Sequence, residues 1–295
     1  MNTTKQLTDI HNSGKTYIIY KSDQGFDLYT NFSKKIILNN KNIHQFLNKN
    51  NLKNKSKKTD LLVGFFGYEL LNNLIGIKIP KQKNINFPKG IFYKPEKIIS
   101  LTRNLNYTNK ESIKPKKKFQ ININRKSYSK IFDKFKKKIK KGETYQIKIC
   151  TKYKTNSKID PLDFFCRLSK TNLAPEAFMI RDKKYSIVSC SPENLITKKG
   201  SLITTKPIAG TVKKVRNMSR YKALNYFRKN LKETKEHNMI VDMERNDLSR
   251  ICKVGTVKLS RKKVVEEYKD LFHYVSLIKG KLKKNIKNID IIKAM

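Results

Sequence analysis

Residues 194–205 read NLITKKGSLITT, two runs of aliphatic and β-branched side chains on either side of a Lys-Lys-Gly turn. Gly200 can take the positive φ of a tight turn, and Thr, Ile and Leu suit a pleated surface, so 194–197 and 201–205 are expected to pair as an antiparallel hairpin. On the C-terminal side a long helix is expected, capped near Ser219 and carrying Leu224, Phe227, Leu231, Lys235 and Met239. A strand follows within YVSLIKGKL at 274–282. On the N-terminal side Asp160 and Pro161 open a helix that runs through Leu168. Further back, Tyr145, Ile147, Ile149, Thr151 and Tyr153 alternate with Gln146, Lys148, Cys150, Lys152 and Lys154, which predicts a strand with one buried face. Tyr128, Ile131, Phe132, Phe135 and Ile139 recur at helical spacing ahead of Gly142, a C-cap residue. Strands in hairpin-like pairs, without regular helical crossovers, predict an α+β fold of mostly antiparallel sheets packed with helices.

The front of the chain alternates short strand-like runs at 17–20, 26–29 and 35–38 with Asn- and Lys-rich loops. A polar stretch at 49–58 reads as loop. LVGFFGYELL at 62–71 is apolar enough to be buried, with Gly64 and Gly67 allowing close backbone approach. The basic stretch 109–118 is the expected boundary between a β-rich lobe, 1–118, and a second domain, 119–295.

Composition narrows the class. The 295 residues carry 67 Lys plus Arg against 23 Asp plus Glu, a formal charge of +44, yet 38% of them are apolar and 10% aromatic, which is a folded rather than a disordered composition. No apolar run is long enough to span a bilayer, and the first fifteen residues lack the apolar core of a signal peptide, so a cytoplasmic protein with no membrane partner is expected. The charge invites a nucleic-acid reading. Only 10 of the 67 cations are Arg, the side chain best fitted to bidentate phosphate and base contacts, and the lysines are spread through every segment. A solvated, compositionally biased surface is favoured over a specific nucleic-acid partner. Cys150, Cys166, Cys190 and Cys252 show neither a paired CxxC motif nor metal-ligand spacing, as in a reduced protein with incidental thiols.

Three segments are too specific to be surface filler, SPENL at 191–195, TTKPIAGT at 204–211 and KEHNMIVDMERNDLSRIC at 235–252, and they are joined by GETYQIKIC at 142–150 before them and FHYVSLIKGKL at 272–282 after them. In this order they resemble the catalytic part of the chorismate-utilising enzymes, which include component I of anthranilate synthase and of aminodeoxychorismate (para-aminobenzoate) synthase. The resemblance is strong from about Tyr128 onward and weak at GFFGYEL near Gly64. It implies that 119–295 is the N-terminal portion of a chorismate-binding catalytic domain with an anthranilate synthase component I-like fold.

The resemblance also assigns roles. Glu236, which by itself could be a structural ion-pair partner, matches the family's magnesium ligand holding the substrate's ring carboxylate, and Mg²⁺ suits few carboxylates plus water and substrate oxygens. Glu233, Glu244 and Asp247 lie nearby in sequence, and solvation or capping explains them adequately. His273, otherwise a packed strand histidine, falls at the family's active-site His, a donor or acid/base near neutral pH. Glu193, otherwise a turn residue, matches the acid that helps the ring hydroxyl leave, which calls for burial to raise its pKa. Ala209, Gly210 and Thr211 are implied to bind substrate: Gly210 lets the backbone come close, and Thr211 offers a hydroxyl and an amide to a carboxylate. A merely structural tight turn is the alternative.

Gln146 stands where water-adding, isochorismate-forming relatives carry a general-base Lys, which implies ammonia as the nucleophile, supplied by a glutamine amidotransferase subunit. Some aminodeoxychorismate synthases carry a nucleophilic Lys at the position of Ala209; here no covalent adduct can form. Against this, no tryptophan-binding LLES-like segment is found, and the Pro-Tyr-Met stretch of the inhibitor site is Pro175, Glu176 and Ala177. The implied function is aminodeoxychorismate synthase component I, with anthranilate synthase component I as the alternative. The chain ends at IIKAM where relatives continue into further catalytic segments, so it is expected to be an N-terminal fragment, inactive alone, with open sheet edges and an exposed apolar face.

Overall fold

The computed structural model of the chain describes residues 3–49, 60–77, 87–109 and 119–295. The chain divides into two compact units, Met1–Tyr107 with Phe164–Met295, and Thr108–Asp163. The larger unit opens with α1 (Thr3–Asn12), β1 (Tyr17–Lys21), β2 (Phe26–Ile37), α2 (Ile43–Lys49), β3 (Val63–Phe66), α3 (Tyr68–Leu74) and β4 (Gly90–Leu101). The smaller holds β5 (Gln120–Ile121), α4 (Arg125–Lys140) and β6 (Tyr153–Lys154), and α5 (Pro161–Thr171) leads out of it. The larger unit then resumes with β7 (Glu176–Arg181), β8 (Ser186–Ser191), β9 (Asn194–Lys199), β10 (Leu202–Lys206), β11 (Ile208–Lys213), α6 (Arg220–Lys229), α7 (Leu231–Ile251), β12 (Lys258–Glu267), β13 (Leu271–Lys281) and α8 (Asn288–Ala294). Every strand pairing among the described residues is antiparallel, as the hairpin-like patterning predicts.

A six-stranded sheet has the order β3-β4-β2-β1-β7-β8. One of its two central strands, β1, makes a long-range pairing, with Tyr17 opposite Arg181 of β7. Strands from before and after residue 118 therefore share one sheet, and the boundary expected there falls within the span of the smaller unit. The two runs expected at 26–29 and 35–38 are one strand, β2, because β4 pairs along its whole length. The polar break between them survives as an irregularity: Asn31 takes φ 53 and the register slips between Phe32 and Lys34. Pro95, which has no N–H to give, lies opposite Phe32 at the same place. Gly64 justifies its sequence signal, since a Cβ there would sit 1.9 Å from the Ile91 carbonyl oxygen. The loop expected at 49–58 lies, beyond Lys49, outside the described residues, as does the basic stretch 110–118.

The second sheet is organised on β13. One edge pairs with β12; the other pairs with β10, which extends the β9–β10 hairpin, and further along with β11. Gly200 takes φ +60 in the hairpin turn, as expected. The long helix expected from Ser219 is two helices. The Ser219 side chain caps α6, accepting from the Lys222 N–H, and α6 ends at Asn230, whose side chain caps α7 by accepting from the Glu233 N–H. An Asn offering that bond lets the chain turn between two amphipathic segments. On α7, Val241, Leu248 and Ile251 share one face and pack with Ile203, Ile278 and Leu282 of the sheet side and with Ile291 of α8. Leu248 is fully buried, worth about 2 kcal/mol. Phe227 of α6 stacks on Tyr274 of β13 at 4.8 Å.

In the smaller unit α4 forms where expected, capped by Asn124 and followed by Gly142 at φ +74. Its apolar stripe is only partly covered: no α4 residue is fully buried, Ile131 and Phe135 are half-buried, and Tyr128, Phe132 and Ile139 are exposed. The strand expected over 145–153 is confined to Tyr153–Lys154, which pair with Gln120–Ile121. Alternation specifies a strand only when one face has a layer to bury against. Here Tyr145 and Tyr153 are exposed. Among the described residues no helix is long and apolar enough to cross a membrane.

Candidate active site

The sequence TTKPIAGT threads β10 into β11 through Pro207, and both strands stay on the same edge of β13. The register slips between Ile208 and Thr211, so the Ala-Gly segment bulges from the sheet. Gly210 has φ +108, and a Cβ there would lie 3.1 Å from both the Phe227 ring and the Tyr274 Cβ and 3.2 Å from Glu233 Oε2. Only glycine fits, for backbone and space alike. Beyond the bulge Thr211 lies opposite His273, with Thr211 Oγ1 3.0 Å from His273 Nδ1.

His273 is buried and edges the Tyr268 ring at 4.9 Å. Burial pushes its pKa below the ordinary histidine value, against the pull of the Gly210 carbonyl and of the Glu266 and Glu193 charges. The imidazole is therefore neutral at pH 7, with one N–H and one lone pair to offer. Glu266 is itself held by Lys206 at 2.7 Å and by the Tyr268 hydroxyl at 3.2 Å.

Helix α7 faces the bulge with its first two turns. Glu233 Oε2 approaches Gly210, and Glu236 lies one turn on; both carboxylates share Lys232, at 3.2 Å and 2.9 Å. The Glu236 side chain retains 33% of its exposure, which leaves it open to a further ligand. Next to it His237 is fully buried: Nδ1 lies 3.0 Å from the Ala209 carbonyl and Nε2 lies 2.7 Å from Ser276 Oγ. Two turns beyond Glu236, Glu244 accepts from Thr205 Oγ1 at 2.5 Å. Burial raises its pKa above the ordinary carboxylate value, and the charges of Asp247 and Glu193 add to the rise.

The expected site residues thus divide. Ala209, Gly210, Thr211 and His273 come together directly, and Glu236 stands on the helix that closes over them. Glu193 follows β8 in an exposed turn, so the burial asked of an acid is not seen, although its charge reaches both His273 and Glu244. Gln146 belongs to the smaller unit and is exposed. Glu233 was read from the sequence as a solvated or capping residue, and His237 and Ser276 were not singled out. The signal that could have found them is position, since Glu233 and His237 flank Glu236 on α7 and Ser276 closes the FHYVS segment.

Among the described residues no group of three or more His, Cys, Asp or Glu side chains could hold a metal. What the donors fit is looser: one or two carboxylates, Glu236 with Glu233, of the kind that hold a largely hydrated Mg²⁺. Beside His273, beyond Tyr268, opens a cleft of about 800 Å³ whose walls include Pro175, Lys21, Lys170, Arg261, Lys269, Glu266 and Glu267.

An α+β chain with a helix-covered antiparallel sheet and a Gly-bulge, Thr–His and carboxylate constellation is similar throughout to proteins that act on chorismate. Residues 4–295 match the family described as chorismate binding enzyme, and the chain belongs to that family. It is 29% identical over 259 residues to the anthranilate synthase component I-like protein of a Synechocystis strain, covering 79% of this chain and 53% of that protein. It is 32% identical over 169 residues to aminodeoxychorismate synthase component 1 of Bacillus subtilis, covering 57% and 36%. It is 30% identical over 247 residues to anthranilate synthase component 1 of Archaeoglobus fulgidus, covering 79% and 59%. The chain spans about half the length of the curated relatives it matches. The crystal structure of anthranilate synthase component I from Streptococcus pneumoniae superposes with a TM-score of 0.71 at 21% identity, covering 95% of this chain and 70% of that one, which bears out the fold.

Proposed function

We propose that this chain carries part of the active site of a Mg²⁺-dependent synthase that aminates chorismate. The observation that carries the reading is the meeting of the PIAGT bulge, the Thr211–His273 pair and the carboxylate-bearing first turns of α7 at one place. Thr211 and the bulge amides would receive a substrate carboxylate. His273, neutral and held by Thr211, would stand beside the reacting ring as donor or acid/base. Glu193 would protonate the departing ring hydroxyl, its burial coming from the bound substrate. Bound at Glu236, Mg²⁺ would supply positive charge to the ring carboxylate, in competition with Lys232.

Ammonia would come from a separate glutamine amidotransferase subunit. The thiols of the larger unit support this: Cys166 and Cys252 are buried, and burial pushes Cys190 up to about 11, so none is a ready thiolate nucleophile. Gln146, where a general-base Lys would favour water, supports ammonia as the nucleophile.

For the product we favour aminodeoxychorismate. The cleft that contains Pro175 is rimmed by Lys21, Lys170, Arg261 and Lys269, while Glu266 and Glu267 are already paired with Lys206, Lys214 and Arg220. Such a rim attracts the carboxylate of an amino acid as well as repelling its ammonium group. The case against the tryptophan feedback expected of the anthranilate branch therefore rests on Pro175, Glu176 and Ala177 standing in place of Pro-Tyr-Met. Anthranilate is the second reading, favoured by Ala209 and by the anthranilate synthase names among the relatives. Titration of the purified chain with chorismate, with and without MgCl₂, tests the binding site: Mg²⁺-dependent binding lost in Thr211→Val supports it, and binding indifferent to both would overturn it.

A further inference from the structure

We infer that His237 is a positioning residue: it holds the Ala209 carbonyl so that the Gly210 bulge, and with it Thr211, is presented to His273. A carbonyl oxygen only accepts, so the 3.0 Å contact requires Nδ1 to carry the proton. Nε2 is then a lone pair, and the Ser276 hydroxyl donates to it at 2.7 Å. Ser276 Oγ in turn accepts the Lys263 N–H at 3.1 Å, where β12 bulges with Lys263 at φ 54. One neutral ring thereby ties α7 to β11, β13 and β12. Both His237 and Ser276 are fully buried, so neither bond can be replaced by water from outside. The Tyr274 ring, 4.7 Å away, fixes the plane of the imidazole.

The consequence falls on the bulge. Gly210 at φ +108 is a conformation the free backbone visits but does not prefer, and the carbonyl immediately before it is the one His237 grips. Release of that carbonyl would free the peptide to rotate, carrying the Thr211 hydroxyl away from Nδ1 of His273. The claim that this matters to substrate rests on the reading of 209–211 as a binding segment; the claim that His237 orders the segment does not.

Two amide variants separate the two ends of the ring. Asn at position 237 places an N–H near the Nδ1 position and can reach Ala209; Gln places its amide near the Nε2 position and reaches Ser276 instead. Long-range ¹H–¹⁵N correlation of the wild-type chain should show His237 as the Nδ1–H tautomer. Hydrogen exchange at 208–213 should quicken at least tenfold in His237→Gln, stay near wild type in His237→Asn, and be unchanged in both across the hairpin 194–206. Chorismate affinity should follow the same order. An Nε2–H tautomer, equal behaviour of the two variants, or an equal loss of protection in the hairpin would overturn the inference. Failure of the wild-type chain to bind chorismate would instead remove the functional reading, leaving tautomer and exchange to decide the role of His237.

Discussion

The second sheet and the smaller unit both carry strand-like and helix-like sequence and end in different structures. β13 is a largely apolar run broken by His273 and Ser276, whereas 145–153 alternates apolar and polar residues. β13 becomes an eleven-residue strand because β12 occupies one edge, β10 and β11 occupy the other, and α6 and α7 cover a face. In the smaller unit the alternation yields a two-residue strand, and the apolar stripe of α4 is buried only in part, at Ile131 and Phe135. The two regions show that periodicity states which face a segment would bury, and that the rest of the fold decides whether the face is used.

Truncating one ring in each region should give the largest difference. Phe227→Ala removes a fully buried ring stacked on Tyr274 and should cost about 3–5 kcal/mol. Phe132→Ala, on the exposed face of α4, should change stability by no more than about 0.5 kcal/mol. Calorimetric melting of both variants checks the pair, and comparable losses would show that α4 is packed after all.

Glycine gives the next contrast. Gly210→Ala should cost about 2–3 kcal/mol, because strain at positive φ is joined by contacts of 3.1 Å with Phe227 and Tyr274. Gly142→Ala, at φ +74 with nothing within 4 Å, should cost only about 1 kcal/mol, which denaturant titration would resolve.

Smaller still is the stability effect of Glu236→Gln. Its ion pair with Lys232 is partly exposed, so the change should stay under about 1 kcal/mol. If Glu236 holds the ion, Mg²⁺-dependent chorismate affinity should nevertheless fall by about tenfold or more. A sharp drop in melting temperature with unchanged affinity would restore the structural ion-pair reading.

The smallest effect concerns Glu244. Burial raises its folded pKa above the ordinary 4.5, so between that value and the raised one the folded state binds more protons than the unfolded state. Stability therefore falls as pH rises through that window, and at neutral pH the buried charge is a liability. Glu244→Gln, which still accepts from Thr205, should raise the melting temperature slightly at pH 7, with the gain vanishing as pH drops below 4.5.

What the sequence made legible was local. The hairpin turn at Gly200, the caps at Ser219 and Asp160, and the strand around His273 are written in turn chemistry and short-range periodicity. The assembly of the six-stranded sheet was not, because β1 and β7 meet across some 160 residues and β4 runs through a proline that ordinarily argues against a strand. Within the site, Gly210, Thr211 and His273 were legible because their spacing matches a known motif order. His237 and Ser276 were not: a histidine satisfied on both nitrogens and a serine inside an apolar strand look like ordinary core residues until the hydrogen bonds between them are seen.

The most direct test of the account is chemical. The protein, in whatever full-length form it occurs, should be incubated with chorismate, MgCl₂ and ammonium, and its products identified by mass spectrometry. Chorismate should be consumed only with ammonium, to an aminated product, aminodeoxychorismate by the favoured reading and anthranilate by the second. Isochorismate formed at the same rate without ammonium would contradict it.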